Sequence, residues 1–405
     1  MNAKMFYIIA DSYPAWRSDV IELFGRDLAL RGLSTTWNMR RGEAGLCATV
    51  RQGEQVVHLP ASLGRRTAAA KIADRLLEAA CEVRWFFRLV LGVRYDIIQV
   101  RDGRYLAGLW AWLAARATGA RFVYWLSFPF PENDAEKSRL THGWRRLFLA
   151  GRARATGWWL YRLLLPLADH VFVQSRQMLE DLAGYGVARK KMTAVPMGVP
   201  QRLLKRGHEN STPVVPGRIA YLGTMASVRR LQVILEAFAV VHRRCPGATL
   251  LMVGDGDHPG ERVALEQLAA RSGLGGAVTF TGAVPMEQAW AHAATAEVCL
   301  SPFYPTFVLR STSPTKLVEY MALGRPVVAN DHPEQAAILG ESGAGLCVPW
   351  GIEKFAEAMV WLLEHPLQAK AMGARGPAWV AANRTYPVIA EAVWHKYGEI
   401  LGNAA

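Results

Sequence analysis

Residues 311–330 read STSPTKLVEYMALGRPVVAN. The pattern is that of a short helix with an anion-receptive N-terminus. Ser313 is placed to cap it, and Pro314 fits the first helical position, where a missing N–H costs nothing. Gly324 supplies the stop, and Pro326 blocks continuation. At ~100° per residue, Leu317, Val318, Met321 and Ala322 share one side and belong in a core. Lys316, Glu319 and Tyr320 share the other, and a strand at 326–329 follows directly. The unpaired first-turn amides, the helix dipole and Lys316 all favour negative charge at this end, with Thr315 beside them. Glu319 lies one turn deeper, where it can accept hydrogen bonds from a hydroxylated ligand. A diphosphate with a sugar hydroxyl beyond it satisfies this arrangement. An ordinary capped helix with a surface Lys–Glu pair satisfies the same residues, so helix chemistry alone leaves both readings open.

The rest of the chain bounds the answer. Its 405 residues exceed what one core usually supports, and 51% are hydrophobic, so two folded domains are expected. Cys47, Cys81, Cys245, Cys299 and Cys347 are scattered, with no CxxC, which points away from a disulfide framework or structural zinc and suits a reducing compartment. The apolar segment 5–10 is short for a leader and reads as a first strand. The longest apolar run, 105–115, is followed by Arg116 and Arg121, so no bilayer span is expected. The net charge of +13 is uneven: residues 1–198 carry 29 Lys/Arg against 17 Asp/Glu, or +12, and residues 199–405 carry 18 against 17, or +1. A basic half beside a neutral one suggests an anionic partner for the first: nucleic acid, an anionic membrane or a phosphorylated acceptor.

Apolar strand-like runs alternate with helical stretches, which indicates an α/β fold with parallel sheets. Strands are expected near 6–10, 56–59, 96–100, 122–125, 170–173 and 193–195, then 218–222, 249–253, 278–280, 297–300, 327–329 and 346–348. A long helix is expected over 68–91, capped by Thr67 and stopped by Gly92, with Ile72, Leu76, Ala79, Val83, Phe87 and Val90 as its core stripe. Residues 207–217 read as a linker.

Glu319-Tyr320-Met321-Ala322 followed by Gly324-Arg325-Pro326-Val327-Val328-Ala329 resembles a segment of retaining glycosyltransferases of the GT-B fold, family 4 type. The resemblance extends through Tyr221-Leu222-Gly223, Leu251-Met252-Val253-Gly254-Asp255-Gly256, Val278-Thr279-Phe280-Thr281-Gly282 and Ala296-Glu297-Val298-Cys299-Leu300-Ser301-Pro302, in order. It implies two Rossmann-like domains facing across a cleft. These are an acceptor domain over 1–198, a nucleotide-sugar domain over 199–386, and a last helix over 387–405 returning to the first. It implies a donor site of Gly223, Thr224, Arg229, Val284, Ser313, Thr315, Lys316 and Glu319, with Arg229 and Lys316 acting on the leaving diphosphate. Val284 falls where backbone meets the nucleobase, so UDP and GDP both stay open. An acceptor side of Ser12, Trp16, Arg17, Ser127 and Phe128 follows from the loops that leave two first-domain strands. No cofactor or metal is implied.

The departures from the pattern are specific. Thr224 stands for an Arg, Arg229 falls on the Lys position and Arg230 on a Gly. The first of two paired Glu positions is Ser311, and the glycines after it are Ser313-Pro314. The ribose and diphosphate grip is therefore expected intact and the hexose grip altered. His142, His170 and His332 are expected at the surface or in loops. Gly254-Asp255-Gly256 lacks the full phosphate-loop spacing and reads as a tight turn. Segment 144–166 carries Arg145, Arg146, Arg152, Arg154 and Arg162 with Trp144, Trp158 and Trp159 and no acid, the composition an anionic interface attracts.

The expectation is a sugar transferase, cytoplasmic and peripheral at the inner membrane face, acting on a lipid-linked saccharide in surface-polysaccharide assembly. A non-catalytic sugar-nucleotide-binding scaffold is the alternative. Nucleic-acid binding is disfavoured, because no recognised motif is present.

Overall fold

Short apolar runs bounded by turn residues become parallel strands here because helices cover both faces of each sheet. The computed structural model describes residues 2–52, 55–64, 67–208 and 213–402. The chain forms two compact units, Met1–Pro196 joined by Tyr386–Ala405, and Met197–Thr385. The chain passes between units after Pro196, not in the expected linker. Residues 213–217 lie inside the second unit, as does the Gln201–His208 helix, whose Leu203 and Leu204 are buried in its core. Residues 209–212 of that stretch are outside the described residues.

The first unit holds β1 (Ala3–Tyr13), β2 (Leu33–Arg41), β3 (Ala48–Gln52), β4 (Gln55–Leu59), β5 (Ile97–Arg101), β6 (Arg121–Leu126), β7 (His170–Val173) and β8 (Met192–Ala194) in the order β3-β4-β2-β1-β5-β6-β7-β8. All pairings are parallel except β3 with β4. Its two faces sort by alternation: Phe6, Ile8, Ile98 and Tyr124 face one core, and Met5, Tyr7, Ile97 and Trp125 the other. The Tyr386–Leu401 helix packs into the second of these through Ile389, Ala390 and Val393, and Tyr397 donates its hydroxyl hydrogen to Gln99 Oε1 at 2.6 Å.

The second unit holds β9 (Arg218–Leu222), β10 (Thr249–Val253), β11 (Val278–Phe280), β12 (Val298–Ser301), β13 (Val327–Asn330) and β14 (Gly345–Val348), parallel throughout, in the order β11-β10-β9-β12-β13-β14. Strand order reverses at β9/β12 here and at β1/β5 in the first unit. Such switch points leave a crevice at the carboxyl ends of the strands.

The long helix spans Ala68–Leu91, with Thr67 Oγ1 accepting from Ala70 N at 3.1 Å and Gly92 following its end. Four of its six expected core residues face outward, while Val90 packs against the core and Ala79 is half-buried. Ile72, Leu76, Val83 and Phe87 are exposed, and Asp74, Glu78 and Glu82 are buried. Ion pairing decided the rotation: Glu78 pairs with Arg40 and Arg104, and Glu82 with Arg104.

Two helices of the second unit touch backbone to backbone. A Cβ at Gly376, on the Pro366–Asn383 helix, would sit 2.5 Å from the Met321 carbonyl oxygen of the Thr315–Ala322 helix. Gly376→Ala should therefore destabilise the second unit by ~1–3 kcal/mol, overpacking outweighing the helix-propensity gain. Gly340→Ala, in the Pro333–Ser342 helix with open space around it, should instead stabilise by up to ~1 kcal/mol. Denaturant midpoints of the two variants should move in opposite directions, and equal shifts would refute the close-packing account.

Candidate functional site

The Thr315–Ala322 helix is buried on every side. It starts one residue later than the sequence suggested. Pro314 precedes it, and Ser313 does not cap it. Ser313 Oγ instead accepts from Met197 N at 3.0 Å and donates to Glu334 Oε1 at 3.3 Å. The end is a Schellman stop, with Gly324 at φ 69°, its N–H donating to Met321 O and Arg325 N–H to Tyr320 O.

The polar side of this helix is therefore an interior surface, and each of its groups has a separate partner. Lys316 Nζ donates to Tyr221 Oη at 3.1 Å and lies 4.4 Å from the Tyr221 ring centre and 5.5 Å from that of Phe303. Tyr221 is the penultimate residue of β9 and Phe303 follows β12, so the ammonium sits at the switch point. Burial drives Lys316 well below its usual pKa, Arg229 adds to this, and Glu319 opposes it. Glu319 Oε1 accepts from Trp290 Nε1 at 3.2 Å, and burial pushes its carboxyl up to about 7. Tyr320 Oη accepts from Leu222 N at 2.6 Å, fixing the helix to β9.

The loop after β9 is wired to the lysine. Tyr221 Oη, raised to about 12 by burial, donates to the Thr224 carbonyl at 2.8 Å, and Arg229 Nε donates to Thr224 Oγ1 at 2.8 Å. Gly223 has φ 138°, and a Cβ there would press on Lys316 Nζ at 3.2 Å, so only glycine fits. Arg230, on the position where the resembled pattern has Gly, adopts φ 52° and ψ 44°, the left-handed geometry glycine would take. Its guanidinium lies 5.6 Å from the Tyr304 ring centre. The loop shape thus persists without the glycine, at a strain of ~1–2 kcal/mol.

Ser311 is buried with its hydroxyl donating to the Phe307 carbonyl at 3.3 Å. Nearby, a recess of about 370 Å³ opens at the carboxyl ends of β12 and β13, lined by Phe303, Tyr304, Arg310 and His332. Val284 lies in the loop beyond β11, and Thr315 begins the helix. The structure thus gathers Gly223, Thr224, Arg229, Thr315, Lys316 and Glu319 around one point. Ser313 lies just ahead of that helix, tied to Met197 and Glu334. Trp290 and Tyr221 were missed by the sequence reading, although Tyr221 directly precedes the Leu-Gly turn.

In the first unit, the expected acceptor residues meet a buried ionic network that the sequence did not reveal. Arg101 Nη2 pairs with Asp19 Oδ2 at 2.6 Å, and Arg101 Nε with Asp102 Oδ2 at 3.3 Å. Ser127 donates its N–H to Asp102 Oδ1 at 2.7 Å and its hydroxyl to Asp102 Oδ2 at 2.5 Å. Arg17 reaches Asp19 at 3.3 Å and Ser127 Oγ at 3.5 Å. Asp102 holds φ 54°, a strained conformation for a residue other than glycine. Burial raises the Asp19 carboxyl, but Arg101 and Arg17 outweigh it and hold Asp19 below the usual range. Ser12 is half-buried, Trp16 stands exposed and Phe128 packs edge-on against Phe130 at 5.0 Å. This network occupies the β1/β5 switch point.

One histidine corrects the sequence reading, and a second falls in a loop as expected but is buried there. His170 is buried on β7 against Thr193 Oγ1 at 2.9 Å, and His332 is buried with Nε2 2.9 Å from the Leu309 carbonyl. Burial lowers both to about 4, so each is neutral near pH 7. His142 is exposed. Among the described residues, no group of three or more His, Cys, Asp or Glu is placed to hold a metal ion.

Residues 216–365 match the family Glycosyl transferases group 1, and residues 19–198 match the glycosyl transferase 4-like domain. A GDP-mannose-dependent alpha-(1-6)-phosphatidylinositol monomannoside mannosyltransferase from Mycobacterium tuberculosis is 31% identical over 160 residues, covering 39% of this chain and 41% of that protein. A D-inositol 3-phosphate glycosyltransferase from Segniliparus rotundus is 27% identical over 203 residues, covering 48% and 44%. The chain thus spans less than half the length of the curated relatives it matches. In fold it is similar to sucrose-phosphate synthase from Thermosynechococcus elongatus, with TM-score 0.71 at 18% identity over 99% of this chain and 100% of that one. It is similar also to Anabaena HepE in complex with UDP-glucose, with TM-score 0.67 at 14% identity over 98% and 100%. With both halves matched and the two parallel-sheet units in place, the chain belongs to the group 1 glycosyltransferases and has the GT-B fold.

Proposed function

We propose that this chain is a retaining glycosyltransferase that moves a sugar from UDP or GDP to a lipid-linked saccharide acceptor in bacterial surface-polysaccharide assembly. The observation that carries it is the buried Lys316 at the β9/β12 switch point, hydrogen-bonded among the described residues only to a neutral phenol and flanked by the Arg229 loop. An ammonium in that setting is stabilised by an arriving diphosphate. Glu319, one turn deeper, receives the ribose hydroxyls. The HepE complex with UDP-glucose and the GDP-mannose-dependent relative support a nucleotide-sugar donor.

When the glycosidic C–O bond to phosphate breaks, negative charge grows on the diphosphate. Lys316, Arg229 and the amides at the start of the Thr315–Ala322 helix stabilise it. The acceptor hydroxyl attacks the anomeric carbon from the face the diphosphate leaves. Ser12, Trp16, Arg17, Ser127 and Phe128 hold the acceptor. Buried Arg101 Nη1, beside Ser127 and without a hydrogen-bond partner among the described residues, is a further donor for it.

A second reading, a non-catalytic sugar-nucleotide-binding scaffold, draws on buried Ser311 and on Thr224 at the positions where the resembled pattern has Glu and Arg. Donor hydrolysis and transfer assays separate the two.

Of segment 144–166, expected at a membrane, the first part lies on the Gly143–Trp158 helix. It exposes Trp144, Leu147, Phe148 and Trp158, with Arg145, Arg146 and Arg154 between them. Arg152 is not free for lipid, because it pairs with Asp134 at 2.6 Å. Among the described residues no helix is long and apolar enough to cross a membrane.

Three outcomes follow. Lys316→Ala and Arg229→Ala should each weaken nucleoside-diphosphate binding at least about tenfold in calorimetry, since losing one partner of a desolvated charge contact costs ~2–5 kcal/mol. Wild-type affinity in both would remove the site assignment. Glu319 titrates near 7 and binds hydroxyls best when ionised, so Glu319→Gln should abolish the gain in affinity that its ionisation gives as pH rises through about 7. An unchanged pH profile would contradict this role. Product NMR should show retained anomeric configuration with EDTA present, whereas an inverted product or metal-reversible loss of transfer would contradict the mechanism.

A further inference from the structure

The Ala68–Leu91 helix is laid on its sheet with its acids inward and its apolar stripe outward. Asp74, Glu78 and Glu82, the only acids of the helix, recur every fourth residue and face the interior. Asp74 accepts from Leu63 N at 2.6 Å and Ser62 Oγ at 3.1 Å. Glu78 pairs with Arg40 at 3.2 Å and Arg104 at 3.1 Å, and Glu82 pairs with Arg104 at 2.5 Å. Rotating the helix to bury its apolar side would strand the buried Arg104. The outward stripe is therefore built in.

That stripe is Ile72 at 61% exposure, Leu76 at 67%, Val83 at 38%, Phe87 at 55% and Leu91 at 81%. On a helical projection they fall within an arc of ~100°. Lys71, Arg75, Arg84 and Arg88 are all exposed around it, and with every acid turned inward the outer surface is only apolar or basic. The apolar surface continues onto the neighbouring Tyr105–Thr118 helix through Phe86 and Trp110, whose rings are 5.6 Å apart, and exposed Leu106.

We propose that this face is a lipid-docking surface, seated on an anionic bilayer with Ile72, Leu76, Val83, Phe87 and Leu91 among the acyl chains and Lys71, Arg75, Arg84 and Arg88 at the phosphates. The charge pattern selects this occupant. A second copy would bring the same cations against these, whereas an anionic headgroup layer above an apolar interior matches both parts. The proposal rests on the membrane reading above and adds an apolar insertion mode to it, on a helix other than Gly143–Trp158.

The test uses the full chain in vesicle sedimentation, with phosphatidylcholine alone and with about 30% phosphatidylglycerol, in low salt and in ~1 M salt, where screening is nearly complete. Wild type should bind the anionic vesicles and keep part of that binding in high salt. Combined Ile72→Ser, Leu76→Ser, Val83→Ser and Phe87→Ser should cut partitioning roughly tenfold or more and remove the salt-resistant part. Arg84→Glu with Arg88→Glu, which leaves the stripe intact and both sites exposed, should weaken binding to anionic vesicles alone. Circular dichroism confirms that each variant is folded. Trp144→Ser with Phe148→Ser, on the other helix, should keep the salt-resistant part. Wild-type partitioning in the folded stripe variant, or loss only in the Trp144/Phe148 variant, would overturn the proposal while leaving membrane association standing. No vesicle binding by wild type would overturn both. A dimer in light scattering that the stripe variant dissolves, with no vesicle binding, would assign the face to a second copy.

Discussion

Complete burial of the Thr315–Ala322 helix is the constraint on which the second unit turns. Leu317, Val318, Met321 and Ala322 supply an apolar core side, and Gly376 lets the Pro366–Asn383 helix come within backbone contact. The Tyr320 hydroxyl, bonded to Leu222 N, fixes rotation about the helix axis against β9. With rotation and translation both fixed, Lys316 and Glu319 are held with little access to solvent. Each then finds its partner on a different element: Tyr221, penultimate in β9, and Trp290 on the Met286–Ala294 helix. The position of two charges is thus a consequence of packing around them.

The first unit solves the equivalent problem with opposite chemistry. At β1/β5 it buries a guanidinium between carboxylates, Arg101 with Asp19 and Asp102, and carries the strain of a left-handed Asp102 to do so. Paired charges in low dielectric give little net stability but strongly resist the removal of one partner. That makes the network a rigid support for the Arg17 and Ser127 side chains it holds. The second unit instead leaves its lysine, among the described residues, without an anionic hydrogen-bond partner, a poor arrangement for stability that fits the proposed receipt of an anion.

The inner strands of the second unit were legible because strands buried on both faces read as continuous apolar runs, and each run expected from 218 to 348 has its strand, the partly exposed edge strands β11 and β14 included. Strands β2 and β3 were not assigned. Leu33–Arg41 mixes Thr, Asn and Arg with Trp37 and Met39, and its burial comes from neighbours far away in the chain. The Ala68–Leu91 helix shows the limit more sharply. Its boundaries and Thr67 cap were readable because they depend on local chemistry. Its inward face was not, because periodicity marks two faces and cannot see that Arg40 and Arg104 wait beneath one of them. The Lys316–Glu319 face was legible in composition, whereas its depth and its partners, Tyr221 and Trp290, required the folded chain. The left-handed Arg230 makes the same point, since residue type argued against a conformation that the loop imposes.

The depth of the Lys316–Glu319 face also determines what that face does without a ligand. In water a lysine and a glutamate three apart on a helix are both charged and gain little from each other. Buried, both are pushed toward neutrality, the lysine downward and the glutamate up to about 7. A site in that condition avoids the full cost of two desolvated charges while empty. On the proposed function, an entering diphosphate would reverse the balance at Lys316, because its negative charge favours the protonated amine. Hydroxyl donors reaching Glu319 favour its ionised form in the same way. A ligand carrying both groups, spaced as diphosphate and ribose are, restores both charges at once, and a ligand carrying one of them leaves the other group at its desolvated cost. On the proposed donor site, selectivity for the combination would therefore arise from burial itself, before any contact with the nucleobase or the sugar is counted.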